Sequence, residues 1–130
     1  MLIEGKEYVV KMNGKTYNCA MDVTMGYIGG KWKTVVLWYL IKGAKRFSEL
    51  KKLIPGITEK MLSLQLKQLE KDGMVKRKVF AQVPPRVEYA LSDEGRSMIP
   101  MLEAIALWGR TIGKKHGKLE EIKSNVKATC

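Results

Sequence analysis

Between Thr58 and Asp72, side chains that donate hydrogen bonds recur every three or four residues: Lys60, Ser63, Lys67 and Lys71. At 3.6 residues per turn they share one side of a helix with Leu64, and Gln65 stands at the edge of that side. The opposite side carries Leu62, Leu66 and Leu69, with Met61 at its border. Amines and a hydroxyl on an outward face can bind phosphates and base edges, and Leu64 can meet a thymine methyl. The chemistry on offer is anion recognition. Catalysis has no comparable set. Ser48, Ser63, Ser92 and Ser97 have no histidine nearby in sequence, and His116 is the only histidine in the chain. A serine nucleophile needs a base within hydrogen-bond reach, so no enzyme is expected. No HExxH pattern, Gly-rich phosphate loop or cluster with metal-ligand spacing is present, so neither metal nor cofactor is expected.

The charge distribution points the same way. The formal net charge is +11 over 130 residues. Thirteen Lys/Arg against four Asp/Glu lie between Lys31 and Lys78, a net of +9 in that window. Such an excess favours a polyanionic partner, nucleic acid before an acidic membrane surface. No apolar run approaches the ~18 residues of a membrane span. The first ten residues carry Glu4, Lys6 and Glu7, where a signal peptide would be apolar. A cytoplasmic location without membrane attachment is therefore expected.

The elements that must position this face are legible from periodicity and turn residues. Residues 7–18 read as a β-hairpin around Asn13-Gly14, a dipeptide suited to a type I′ turn. Helices are expected over Cys19–Ile28, Trp32–Lys42 and Phe47–Ile54, broken at Gly29-Gly30, Gly43 and Pro55-Gly56. Thr58 N-caps the fourth helix, with Ile57 and Leu62 at the two positions of a hydrophobic staple. Asp72-Gly73 ends that helix. Beyond it the period changes to two, giving strands around Val75–Val79 and Val87–Leu91 joined through Ala81–Pro85. Pro84 and Pro85 lack the N–H groups that an edge neighbour would use. Ser92 caps a long helix, Asp93–His116, which Pro100 is expected to kink. Its apolar face is wide: Met98, Met101, Leu102, Ile105, Leu107, Trp108 and Ile112. Dimerisation would bury Met101, Leu102, Ile105, Trp108 and Ile112 together with Met21 and Met25 of the first helix. Trp32, Trp38, Trp108, Tyr27, Tyr39 and Tyr89 are assigned to helix cores or an inner strand face rather than to base stacking. The tail from Leu119 to Val126 has weak helical spacing.

A short helix, a tight turn, a basic helix and a hairpin in that order make a winged helix-turn-helix. The expected fold class is thus α+β and mainly helical. It comprises an N-terminal hairpin extension (1–18), a DNA-binding and dimerisation domain (19–116) ending in a long helix, and a tail (117–130). The sequence resembles the HxlR family of winged helix-turn-helix transcriptional regulators, in the wider MarR-like group. The resemblance runs from about Cys19 to Trp108. It rests on IGGKW (28–32), RFSELKKLIPGIT (46–58), MLSLQLKQLEKDGMV (61–75) and VPPRVEYALSDEG (83–95). It implies a homodimer on a palindromic double-stranded operator, controlled by a small effector or a thiol oxidant. It also implies DNA contacts by Lys60, Ser63, Gln65 and Lys67. Arg86 is placed at the wing tip, and Lys31, Arg46 and Ser48 near helix starts. Leu64 departs from a position that is often polar in the family. Cys19 matches a cysteine that some members use as a thiol sensor. A helix N-terminus favours the reactive thiolate, whereas a free cysteine is otherwise most often a small buried hydrophobe. The alternative reading is a basic module that binds nucleic acid without sequence preference.

Overall fold

The computed structural model describes residues 1–122, which form two compact units divided after Lys31. The first unit holds two small hairpins and a helix. β1 (Leu2–Ile3) pairs with β2 (Lys6–Glu7), and β3 (Val10–Met12) with β4 (Lys15–Tyr17). Asn13 and Gly14 both have positive φ, 52° and 74°, as the expected turn requires. The β1–β2 hairpin was not expected: its turn, Glu4-Gly5, also has both φ values positive, yet Glu is a poor turn signal. The Met1 ammonium donates to the carbonyls of Tyr8 (2.7 Å) and Asn18 (2.9 Å), closing the extension on itself. α1 (Ala20–Ile28) follows, with Cys19 as N-cap.

The second unit is built on α2 (Lys33–Leu40), α3 (Phe47–Leu53) and α4 (Glu59–Lys71). Its core comprises Val36, Leu37 and Leu40 from α2, Leu50 and Ile54 around α3, and Leu62, Leu66 and Leu69 from α4. Ile57, at 2% exposure, and Leu62, at 0%, are buried as a staple pair would be. Thr58 Oγ1 accepts from the Met61 N–H at 3.0 Å, the cap that starts α4. Gly73, at φ +78°, turns the chain out of the helix.

β5 (Val75–Phe80) and β6 (Arg86–Leu91) form the antiparallel wing, in register from Val75 opposite Leu91 to Phe80 opposite Arg86. Lys45 adds a one-residue third strand, exchanging both backbone hydrogen bonds with Tyr89 at 2.9 and 2.8 Å. Ser92 ties the base of the wing to the end of α4: its N–H donates to the Met74 carbonyl and its Oγ to the Gly73 carbonyl.

Where one kinked helix was expected after Ser92, there are two. α5 (Asp93–Ser97) ends at Met98, and α6 (Ile99–His116) begins with Pro100 in its first turn. A first turn has no N–H partner for proline to lose, so a break upstream accommodates Pro100 better than a kink through it. Residues 119–122 belong to no helix. Val126 and Cys130 lie outside the described residues. Among the described residues no helix is long and apolar enough to cross a membrane.

Candidate nucleic-acid interface

α4 presents the face that its spacing predicts. Leu62, Leu66 and Leu69 are buried, whereas Lys60, Leu64 and Lys67 are exposed and Ser63 is half-buried. Among the described residues no ion pair neutralises Lys60 or Lys67. Both amines are therefore available to an external anion. Gln65 is only half-exposed, and its Nε2 donates to Met61 Sδ at 3.1 Å, so its amide rests on the flank of α4.

α3 lies just upstream, with Arg46 and Ser48 exposed at its start. The Arg46 backbone N–H donates to Glu49 Oε1 at 3.0 Å, which fixes the first turn and leaves the guanidinium outside. Lys31 is also exposed and belongs to the first unit, in the segment between α1 and α2.

Arg86 stands one step back from the wing tip; the tip residue is Val83, fully exposed, in the turn before Pro84. Pro84 and Pro85 occupy the turn itself, and pairing resumes only at Arg86, opposite Phe80. The Arg86 guanidinium lies 4.2 Å from the centre of the Phe80 ring, and Lys78 Nζ lies 4.9 Å from the same ring. Arg86 Nε is 3.6 Å from Glu88 Oε1. A cation over a ring and beside a carboxylate is held in one orientation at little entropic cost. Lys76, Lys78 and Arg86 alternate onto one face of the hairpin, and Arg77 projects from the other. Lys76, Arg77 and Lys78, all exposed, were not singled out from the sequence. Three consecutive bases in a strand were the available signal, since a basic run must then show on both faces.

Cys19 is exposed, and its side chain makes no capping hydrogen bond to α1. Its carbonyl accepts from Asp22 N–H (3.1 Å) and Val23 N–H (3.3 Å), and Asp22 sits in the helix's first turn. The small buried hydrophobe is thereby excluded for this residue. Met21 and Met25 of α1 are 67% and 50% exposed.

On α6 the apolar face divides in two. Leu102 is 2% exposed and belongs to the chain's own core, so it leaves the expected dimer surface. An 18-residue helix resting on a core must bury one stripe internally, and Leu102 is on that stripe. Ile105 (46%), Leu107 and Trp108 (68%) face out, and Met101 and Ile112 are half-buried. Trp108 is thus not a core residue of the single chain, unlike Tyr39, which is buried; Trp32 and Trp38 are half-buried. A groove of about 720 Å³ runs along α6, with Thr34, Val35, Ile105, Ala106 and Gly109 in its walls. A cavity of about 340 Å³ lies among Trp38, Tyr39, Lys42, Lys45, Leu53 and Glu103. Among the described residues no three His, Cys, Asp or Glu side chains gather as metal ligands.

Comparison with known proteins agrees with this geometry. The family model of the HxlR-like helix-turn-helix matches residues 27–117. The uncharacterized HTH-type transcriptional regulator YtcD of Bacillus subtilis (strain 168) is 49% identical over 115 residues, spanning 85% of this chain and 91% of that protein. An uncharacterized HTH-type transcriptional regulator of Methanothermobacter thermautotrophicus is 46% identical, over 78% of each chain. Among solved structures, the oxidized form of the redox regulator HypR is 40% identical with a TM-score of 0.69, covering 80% of this chain and 100% of that one. The reduced form of the transcriptional regulator YodB from B. subtilis is 31% identical with a TM-score of 0.64, covering 72% of this chain and 92% of that one. With its α3–α4 pair, its basic β5–β6 wing and relatives matched over most of their length, the chain belongs to the HxlR-like helix-turn-helix family of transcriptional regulators.

Proposed function

We propose that the chain acts as a homodimer on a palindromic operator in double-stranded DNA, and that oxidation of Cys19 alters its binding. The observation that carries the first part is the two-sided α4: three buried leucines fix which side faces out, and that side holds Lys60, Ser63 and Lys67. A helix of this width enters the major groove, where amines and hydroxyls meet phosphates and base edges. Arg46 and Ser48 at the start of α3, Lys31, and Arg86 with the basic strand β5 add backbone contacts that set orientation. Gln65 reaches DNA only by leaving Met61.

Ile105 and Trp108, exposed on α6, with half-buried Met101 and Ile112, supply apolar surface a second copy would cover; the first unit offers Met21 and Met25 of α1, also exposed. In a dimer of this kind the two recognition helices sit about 34 Å apart, one turn of DNA. The second part rests on the exposure of Cys19 and on the likeness to HypR, described as a redox regulator in oxidized and reduced forms. The cavity beside Trp38 has the volume a small effector needs.

Mild oxidation followed by an operator-binding titration tests the thiol control. Wild type changes affinity and Cys19→Ser does not; a Cys19→Ser variant that responds as strongly as wild type removes Cys19 from the mechanism. A protein that binds every duplex equally, with the same steep salt dependence, is a basic architectural module instead.

A further inference from the structure

Leu64 is out of phase with the core of its own helix. It lies about 190° around α4 from the centre of the Leu62–Leu66–Leu69 stripe, at roughly 100° per residue. It is 45% exposed, and among the described residues no other large apolar side chain on α3 or α4 is comparably exposed. An exposed leucine is ordinary on a surface and needs no explanation by itself. Its neighbours give this one a meaning. Lys60 stands four residues before it, Lys67 three after and Gln68 four after, all of them exposed. A second protein covering Leu64 would have to desolvate both lysines, neither of which has an internal partner to bring along. A nucleic-acid groove offers those lysines phosphates and polar base edges while offering the leucine an apolar group.

The major groove presents one such group, the C5-methyl of thymine. We infer that Leu64 is a specificity determinant that packs on a thymine methyl within each half-site, so that the operator prefers thymine there. The inference rests on the DNA-binding reading above and deepens it. Leucine suits the task because it has no donor or acceptor. Cytosine would place its N4 amine near a side chain unable to bond it, and adenine its N6 amine, whereas thymine alone gains by contact.

Deoxyuridine removes the methyl and leaves every hydrogen-bonding group of thymine in place, which gives a direct test. The preferred operator is first selected from a random duplex pool. Each thymine is then replaced in turn, symmetrically in both half-sites, by deoxyuridine, and affinities are measured for wild type, Leu64→Ala and Leu64→Met. Losing one apolar contact per half-site lowers affinity by about fourfold, hence about fifteenfold over both. The expected result is one thymine position at which wild type and Leu64→Met lose affinity on that scale while Leu64→Ala binds both duplexes alike. 5-Methylcytosine paired with guanine at that position recovers part of the lost contact relative to cytosine. A selected operator in which no thymine methyl is felt by wild type and ignored by Leu64→Ala overturns the inference and leaves the regulator reading standing. If no preferred duplex emerges at all, the regulator reading fails and the inference falls with it. Leu64 is solvent-facing, so the variants keep the fold, which thermal unfolding checks.

Discussion

Individual side chains divide here into those that packing holds in position and those left exposed without an internal partner. Lys67 is of the second kind, exposed and unpaired within the described residues. Lys67→Ala is expected to weaken operator binding. A loss equal on all sequences, with the salt slope shallower by about one, assigns it to phosphate; relaxed discrimination at one base pair assigns it to a base edge. Arg86 is of the first kind, packed on Phe80 and beside Glu88 yet still about a third exposed. Arg86→Ala should lower affinity alike on specific and non-specific duplexes, read by titration at several salt concentrations. Unchanged affinity and slope would confine Arg86 to packing the wing. Its place beside a stiff turn was legible in the sequence, since a double proline followed by an arginine marks a turn with a cation at its end. Its use of Phe80 was not, because a ring and a guanidinium meet only through strand register, and the register follows from a turn whose length the sequence leaves open.

Elements succeed or fail on a few backbone hydrogen bonds and close approaches. Thr58→Ala removes the cap of α4 and should cost about 1 kcal/mol of folding stability in denaturant unfolding. Gly95 is more demanding: a Cβ there would run into the carbonyl oxygen of Met74, the residue before β5. Gly95→Ala must push backbone aside, so a loss above about 2 kcal/mol is expected, on the scale of overpacked cores. Unfolding at wild-type denaturant concentration would show that the junction yields freely. The sequence made α3, α4 and the wing readable because their leucine period, caps and turn residues all agreed. It misplaced the end of α5 because a proline within an apolar helical pattern is compatible with either a kink or a fresh start. Packing decides between them: Leu102 must reach the core, and Pro100 in a first turn allows α6 to set its own direction. The β1–β2 hairpin escaped notice because strands of two residues carry no period at all.

For the whole molecule, the apolar face of α6 divides into a stripe that the chain buries itself and side chains that it leaves exposed. Leu102→Ala should destabilise the chain by about 2–5 kcal/mol, as a core truncation does. Trp108→Glu should leave the chain folded and shift it toward monomer in sedimentation velocity, because Trp108 is mostly exposed in a single copy. A Trp108→Glu protein that still sediments as a dimer would move the interface elsewhere. On the proposed dimer, DNA binding is expected to track association, since two half-sites held by one dimer give far more affinity than either alone. The charge of the window 31–78 was plain in the sequence, and so was the expectation of nucleic acid; which apolar residues a single chain covers by itself emerged only with burial. The central claim, that α4 of a dimer reads a palindromic duplex, is tested most directly by selecting bound sequences from a random double-stranded pool. The account predicts an inverted repeat whose half-site centres lie about one helical turn, 10–10.5 base pairs, or a multiple of it, apart. A bound pool with no enriched sequence, or one enriched for a single unrepeated site, would contradict it.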